Sequence, residues 1–364
     1  MLTDAELLAM IKKKVDTLME RIDPQKCEEP LGITENGRYT QRMETFLQPG
    51  WTYSFFYGMI AYMYEHFKDK RYVDYINAAK GVYKTFLYDN DNEIGHDTGF
   101  LYSLYAVAAY KITGDKEYRA FAVRAADEVA KRYRVECGHI QAFGDLRKRG
   151  TNDDISMMIA DDCMNMCLLM WAYGETGHSF YREVYERHLQ TAMTYLIRDD
   201  FTTRHAYIFD AKNGRPIGEE NYCGYCVGSH WARGSTWIIY GLTKAMEKTN
   251  ESIRYENARE GVAAKYFARC AEAMVPPWDF DLPSEAKVRY DDTSAAAIAA
   301  SALFDTRRDV AEKTIEVLCE QYLAPPGEEG ILLYGSQSCL WGDYFFTELV
   351  MKHAHNGKVI DFWI

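Results

Sequence analysis

Several common signals are missing from this 364-residue sequence. It has no uninterrupted apolar run of about 18 residues, as a membrane-spanning helix would need. Residues 1–21 form a charged amphipathic pattern with no apolar signal-peptide region, so we expect a soluble cytoplasmic protein that does not enter a membrane. The P-loop, G-x-G-x-x-G, G-x-S-x-G and H-E-x-x-H motifs are also missing. The sequence therefore gives no motif evidence for nucleotide binding, serine-hydrolase catalysis or zincin chemistry.

Positive charge is scarce. Lys and Arg number 42 against 54 Asp and Glu, which gives a net charge of −12. This field repels phosphate backbones, so we expect no nucleic-acid partner. An acidic ligand would have to be recognised by a locally placed arginine rather than by the overall field.

The nine cysteines are odd in number and scattered, which is typical of reduced thiols in a cytosol. Cys223 and Cys226 have C-x-x-C spacing. Neither a second such pair nor a close histidine completes a zinc site, so we expect no metal there.

Apolar residues recur at helical spacing in about a dozen segments, whereas strand alternation is weak. Thr3 and Glu6 have the spacing of a capping box, which predicts the start of the first helix. The predicted helices are 3–22, 52–67, 70–88, 97–113, 116–133, 153–176, 179–198, 231–248, 253–273, 292–304, 307–322 and 341–355. The predicted loops are 23–50, 136–152, 199–230, 275–291 and 323–340.

The joints between these helices repeat. Residues 113–118 (T-G-D-K-E-Y) and 176–181 (T-G-H-S-F-Y) are the clearest pair, and 68–72 is a weaker third. Six hairpins without a linker predict an all-α, (α/α)6-barrel fold as a single domain over residues 1–364, although length alone allows about two domains. An open helical solenoid with a concave binding face is the alternative.

Two carboxylates stand out because each adjoins a mainly apolar run. Asp97 is explained equally well as a helix N-cap. Asp161 lies within the predicted helix 153–176, beside Met158 and Met164, where an unpaired ionised carboxylate is costly. Asn165 shares its helix face. Asp161 is therefore the stronger candidate for chemistry.

Arg233 and Trp237 are four residues apart, so they share a helix face that offers a carboxylate-binding fork and a flat apolar ring. A structural cation–π pair explains them equally well. For Trp51 and Trp341, core packing and a sugar-binding surface are equally good explanations. A lone histidine such as His205 is more often structural than catalytic.

Taken together, these residues resemble a known family, the unsaturated glucuronyl hydrolases of glycoside hydrolase family 88. The similar blocks occur in the family's order from about residue 48 to 350, nearly the whole chain. They are 51–59 (W-T-Y-S-F-F-Y-G-M), 96–100 (H-D-T-G-F), 140–144 (I-Q-A-F-G), 161–165 (D-D-C-M-N), 231–234 (W-A-R-G), 277–280 (P-W-D-F) with 292–297 (D-T-S-A-A-A), and 341–346 (W-G-D-Y-F-F).

The resemblance implies an α/α six-hairpin barrel that removes a 4,5-unsaturated uronic acid from lyase-generated oligosaccharides. In that family a carboxylic acid protonates C4, water adds at C5, and the hemiketal opens to release the aglycone. By motif position, Asp161 corresponds to the acid and base and Asp97 to the second essential aspartate. The predicted sugar-binding residues are Trp51, Phe143, His205, Arg233, Trp237 and Trp341. No metal or organic cofactor is implied.

Burial and a neighbouring carboxylate both raise a carboxyl pKa. We therefore expect Asp161, with Asp97 converging on it, to keep its proton near neutral pH.

The sequence departs from the family pattern around the substrate. Cys223 stands where the family commonly has Gln, Ala206 replaces a Thr, and Phe143 replaces a Trp. The loop 335–339 lacks the Ser/Lys cluster that some members use for sulfated sugars. Linkage and aglycone preference therefore stay open, as does the oligomeric state. The alternatives are an unsaturated rhamnogalacturonyl hydrolase of glycoside hydrolase family 105 and a non-catalytic sugar-binding barrel.

Overall fold

The computed structural model describes residues 2–26, 32–40, 50–89, 95–144, 154–249 and 252–364. Internal contacts divide the chain into two units. The first unit comprises Met1–Asn92, Phe100–Ala122 and Asp291–Phe362. The second unit comprises Glu93–Gly99, Val123–Tyr290 and Trp363–Ile364.

Helices make up most of the described chain. They are α1 (Asp4–Arg21), α2 (Tyr53–Phe67), α3 (Lys70–Ala78), α4 (Lys80–Tyr88), α5 (Thr98–Tyr102), α6 (Ala108–Thr113), α7 (Lys116–Ala130), α8 (Asp162–Asn165), α9 (Cys167–Thr176), α10 (Ser179–Leu196), α11 (Ala232–Lys248), α12 (Ser252–Cys270), α13 (Thr293–Ala302), α14 (Arg308–Gln321) and α15 (Leu340–Ala354). A π-helix (Ser103–Val107) connects α5 to α6, and a 3-10 turn (Ala271–Ala273) follows α12. None of the helices in the described ranges is long and apolar enough to cross a membrane.

Local sequence signals set several helix ends. The Thr3 hydroxyl accepts the Glu6 N–H and the Glu6 carboxylate accepts the Thr3 N–H, which confirms the predicted capping box. Gly114 and Gly177 end α6 and α9 with φ of 74°. Glycine adopts this left-handed conformation without steric strain, which explains why the two joints share a sequence pattern.

Short strands accompany the helices. They are β1 (Thr34–Glu35), β2 (Arg38–Tyr39), β3 (Tyr133–Arg134), β4 (His139–Ile140), β5 (Ile155–Ile159), β6 (Ala206–Asp210), β7 (Pro216–Glu220), β8 (Leu333–Tyr334) and β9 (Gln337–Ser338). β5, β6 and β7 form an antiparallel three-stranded sheet in the second unit.

This sheet corrects two sequence predictions. The helix predicted over 153–176 was wrong at its start, because residues 155–159 pair with β6 as strand β5 and the helix begins only at Asp162. The predicted loop 199–230 contains β6 and β7. The apolar run 206–209 followed by Asn213-Gly214 is a typical hairpin signal, and Gly214 has a φ of 72°. Residues 155–159 form their backbone hydrogen bonds with β6, a tertiary pairing that apolar spacing in the sequence does not reveal.

Two glycines allow other segments to approach α8 at backbone contact. A Cβ on Gly241 of α11 would lie 2.5 Å from the carbonyl oxygen of Cys163. A Cβ on Gly99, at the start of α5, would overlap the backbone of Asn165. The segment 161–165 is therefore packed closely against two other segments within the second unit.

In the first unit, a buried carboxylate on α15 organises the backbone before β8. The Asp343 carboxylate accepts hydrogen bonds from the Tyr39 hydroxyl at 2.7 Å, the Ile331 N–H at 2.8 Å and the Leu332 N–H at 2.9 Å. Because hydrogen bonds satisfy both carboxylate oxygens, we interpret Asp343 as a structural residue.

We predict that Gly241→Ala lowers the free energy of unfolding by roughly 1–3 kcal/mol, because α11 must move away from the Cys163 carbonyl. Gly174→Ala is the matched control on α9, since nothing lies within 4 Å of the position that a Cβ would take there. At that position we expect a gain of about 0.5–1 kcal/mol from the better helix propensity of alanine. Denaturant unfolding of both variants measures the two changes. Equal stability of Gly241→Ala and wild type would contradict the close packing.

Candidate active site

The register of the sheet brings three separate chain segments to one end. Ile159 of β5 pairs with Ala206 of β6, and Ala206 pairs with Glu220 of β7. Asp161 therefore follows β5 at the same end where His205 precedes β6 and Tyr222 follows β7. The Ala160 N–H also donates to the His205 carbonyl at 2.8 Å, which extends the pairing toward Asp161.

Asp97 reaches the same region through contacts with His96 and α8. Asn165 Nδ2 donates to Asp97 Oδ1 at 3.4 Å, and His96 Nε2 lies 3.4 Å from Asp97 Oδ2. His96 Nδ1 lies 2.9 Å from Asp162 Oδ1. We call Asp97, Asp161 and Asp162 around His96 the carboxylate cluster. The structure thus brings the two predicted aspartates, Asp97 and Asp161, into one site.

The environment of Asp161 favours its protonated form. Burial raises its pKa, the charge of Asp97 adds to this, and the net pKa is about 7 although His96 and Arg233 act in the opposite direction. Within the described part of the chain, its buried Oδ2 atom has no hydrogen-bond partner. Asp161 therefore combines a raised pKa with an oxygen that is free to donate a proton.

His96 and Asp162 are charged at neutral pH. Burial lowers the pKa of His96, but the charges of Asp97 and Asp162 outweigh it and raise the pKa to about 9. Burial likewise opposes ionisation of Asp162, yet the His96 contact brings its net pKa below the ordinary value. Burial raises the pKa of Asp97, and His96 counteracts this. About 30% of the Asp97 side chain is exposed.

Arg233 and His205 supply polar groups beside the carboxylate cluster. The Arg233 guanidinium lies 5.0 Å from the centroid of the Trp231 ring, in the first turn of α11. Burial and the Arg233 charge lower the pKa of His205 to about 3, so its imidazole is neutral. Nδ1 of His205 accepts the N–H groups of Tyr222 and Cys223, both at 3.3 Å. The ring proton therefore resides on Nε2.

Two aromatic rings at the site are open to solvent. Phe143 is 46% exposed and meets His96 edge-on, with 5.0 Å between ring centroids. Tyr222 is 50% exposed and lies 4.1 Å from the His205 ring. Exposed rings beside a polar cluster are typical of sugar-binding sites, since a sugar presents an apolar face and polar edges.

The predicted site residues are distributed over both units. Asp97, Phe143, Asp161, His205, Arg233 and Trp237 belong to the second unit, where Trp237 is completely buried in α11. Trp51 and Trp341 belong to the first unit, where their rings pack 4.9 Å apart and Trp341 Nε1 donates to Ser294. The Arg233 guanidinium lies over the ring of Trp231 in a cation–π contact.

Sequence reasoning missed His96, Asp162 and Tyr222 as members of the site. His96 and Asp162 each adjoin a predicted aspartate in the chain, which was a usable signal. Tyr222 had no such signal, because its place depends on the unpredicted strand β7. Asp161 was also expected inside a helix, and it precedes α8 instead.

The arrangement suits acid–base chemistry on a charged sugar. It combines a protonated carboxylic acid, an ionised carboxylate, an arginine and open aromatic rings. In the ranges that the structure describes, no three histidine, cysteine or carboxylate side chains are grouped as metal ligands.

Comparison with known proteins agrees with the motifs. The model of Glycosyl Hydrolase Family 88 matches residues 10–324. An unsaturated glucuronyl hydrolase of Bacillus sp. (strain GL1) is 32% identical over 327 residues, which cover 83% of this chain and 85% of that protein. An unsaturated chondroitin disaccharide hydrolase of Streptococcus agalactiae serotype III (strain NEM316) is 30% identical over 383 residues, which cover 97% of this chain and 92% of that protein.

A solved structure gives the same result. The crystal structure of the unsaturated glucuronyl hydrolase from Bacillus sp. GL1 matches with a TM-score of 0.83 at 28% identity, covering 95% of this chain and 96% of that one. Such structures are helical barrels, which confirms the predicted all-α barrel fold class. The family model also confirms the resemblance that the motifs indicated. The chain therefore belongs to Glycosyl Hydrolase Family 88 and is a glycosidase.

Proposed function

We propose that this glycosidase releases 4,5-unsaturated glucuronic acid from the non-reducing end of lyase-generated oligosaccharides by hydrating a vinyl ether. The observation that carries the proposal is Asp161, a buried carboxyl with a pKa of about 7 and an oxygen without a hydrogen-bond partner in the described structure. The relatives named unsaturated glucuronyl hydrolase and unsaturated chondroitin disaccharide hydrolase support the same substrate class.

In the first step, Asp161 gives its proton to C4 of the unsaturated ring. The electron pair of the C4=C5 double bond forms the new C–H bond, and positive charge develops on C5 and the ring oxygen. The ionised Asp97 stabilises this charge, while its presence beforehand helps Asp161 to remain protonated.

In the second step, water attacks C5 and passes its proton to the Asp161 carboxylate, which regenerates the acid. The product is a hemiketal at C5. Cleavage of the bond between C5 and the ring oxygen leaves a keto group at C5 and a hydroxyl on C1. Loss of the aglycone from C1 then gives the aldehyde, so the balance is one water molecule consumed for each glycosidic bond.

Substrate binding follows from the same residues. Arg233 binds the uronic carboxylate through its planar fork. His205 donates from Nε2 to a sugar oxygen, because its Nδ1 accepts the two backbone N–H groups. Phe143 offers an exposed ring to the apolar face of the sugar. Substrate contacts of Trp51, Trp237 and Trp341 stay predictions.

We also propose a cytoplasmic location and a single catalytic domain over residues 1–364. The odd number and scattered positions of the nine cysteines support a reducing compartment. The match of the family model over residues 10–324 supports one domain.

A panel of lyase-generated unsaturated oligosaccharides tests the proposed function. We expect loss of the ultraviolet absorbance of the conjugated alkene with chondroitin or hyaluronan disaccharides, and little loss with treated rhamnogalacturonan. Faster turnover of the rhamnogalacturonan product would favour the family 105 activity instead. Tight binding of these sugars without any turnover would favour a binding protein.

Asp161→Asn removes the proposed acid and base with little change in shape. We expect kcat to fall roughly 10²- to 10⁴-fold, the usual contribution of such a group. Asp154→Asn is the control, since Asp154 lies just before β5 with 70% of its side chain exposed, and its kcat should match wild type. Turnover by Asp161→Asn at the wild-type rate would disprove the assignment, provided thermal unfolding shows that both variants are folded.

The pH dependence of kcat/KM measures the protonation of the Asp161 carboxyl. Because Asp161 acts as an acid and its pKa is raised to about 7, we expect kcat/KM to fall above about pH 7, by about tenfold per pH unit. Its rise at low pH reflects ionisation of Asp97. Initial rates on one unsaturated disaccharide across the pH range measure both limbs. An alkaline limb near the ordinary aspartate value of about 3.9 would contradict the assignment.

A further inference from the structure

His96 lies at the centre of the carboxylate cluster, yet the reaction steps above do not use it. Its side chain is only 2% exposed. Nδ1 faces Asp162 Oδ1 at 2.9 Å and also lies 3.3 Å from Asn165 Nδ2, and Nε2 faces Asp97 Oδ2 at 3.4 Å. Each ring nitrogen therefore lies beside a carboxylate oxygen, which is the geometry that favours a doubly protonated imidazolium.

Asp162 is the second buried group without a role in the reaction. Its side chain is 0% exposed, and its Oδ2 accepts the Ile159 N–H at 3.0 Å. A buried carboxylate is stable only when a cation or several donors compensate it. The His96 ring is the cation that lies against it in the described structure.

We propose that Asp162 and His96 are a positioning pair: Asp162 keeps His96 cationic, and His96 keeps Asp97 an anion beside the protonated Asp161. This inference rests on the proposed function, because it assigns the control of protonation in that reaction. Neither residue transfers a proton to substrate.

The charges around His96 agree with this assignment. Besides Asp97, Asp161 and Asp162, the titratable groups that act on His96 or on these carboxylates include Arg132, Arg233 and the neutral His139, His188 and His205. Arg132 and Arg233 act on Asp97 and Asp161, respectively. Asp161 and Asp162 are consecutive in the chain, yet the pKa of Asp161 is raised and that of Asp162 is lowered. The orientation of Asp162 toward His96 separates the two.

A purely structural role is the competing explanation, since His96 also packs edge-on against Phe143. Loss of packing would reduce stability or kcat at every pH. Loss of a charge would move the pH limbs. The shape of the pH profile therefore distinguishes the two explanations.

His96→Gln removes the charge but keeps a polar side chain of similar length. We expect both limbs of the kcat/KM profile to move to higher pH by roughly one unit, because Asp97 and Asp161 both lose a neighbouring cation. His230→Gln is the matched control: His230 is equally buried, but it bonds to Ser235 and neighbours Arg269, away from the carboxylate cluster. Its limbs should stay at the wild-type positions. Unmoved limbs in His96→Gln would overturn the proposal.

Titration of His96 by NMR of ¹⁵N-histidine-labelled protein provides a readout that needs no substrate. The His96→Gln spectrum assigns the signal. We expect the wild-type ring to remain an imidazolium at pH 8, and its midpoint to fall by roughly one unit or more in Asp162→Asn. A wild-type midpoint near the ordinary value of about 6.5, or one that Asp162→Asn leaves unchanged, would overturn the pair.

The two experiments also separate this proposal from the proposed function. If wild type hydrolyses no unsaturated uronide, the proposed function fails, whereas the NMR titration still decides whether Asp162 holds His96 cationic. If wild type is active and both readouts remain unmoved, only the positioning pair fails.

Discussion

Withdrawal of an acid from water among neighbouring carboxylates is the constraint on which the site depends. Asp97, Asp161 and Asp162 surround one imidazole where little water screens their charges. The ring nitrogens of the His96 cation face Asp97 and Asp162. Asp161 is therefore the carboxyl of the cluster that binds a proton most readily. An acid that holds its proton at neutral pH thus arises from burial, to which the neighbouring carboxylates add, with no unusual chemical group.

The backbone around the carboxylate cluster keeps these groups in place. Pairing of β5 with β6 brings Asp161 to the same end of the sheet as His205. Gly99 and Gly241 allow close backbone contacts that fix the position of α8. Asp343 in the first unit also has a pKa that burial raises to about 7, but three donors satisfy its carboxylate. A raised pKa alone therefore does not mark an aspartate as a catalytic acid; Asp161 differs because its buried Oδ2 has no hydrogen-bond partner in the described structure.

Much of this could be predicted from sequence for physical reasons. Helical spacing is a strong signal in long amphipathic segments such as α1 and α10, and the glycine joints after α6 and α9 follow from the left-handed conformation that glycine tolerates. Asp161 was identified because a carboxylate among methionines demands an explanation. The strand β5 was not identified, because a segment of five residues is too short for its hydrophobic spacing to distinguish a strand from a helix. Only its pairing with β6 shows that it is a strand. The His96 contacts depend on that same pairing and on the placement of α8, so spacing could not reveal them.

The glycine contacts at α8 have a practical consequence for enzyme engineering. Positions 99 and 241 leave no room for any side chain, so mutant libraries that vary them would mostly return misplaced aspartates. The exposed side chains of Tyr222 and Cys223 carry no such restriction and lie directly beside the acid. Efforts to broaden the range of accepted sugars should therefore diversify those two positions and leave the small residues behind the aspartates untouched.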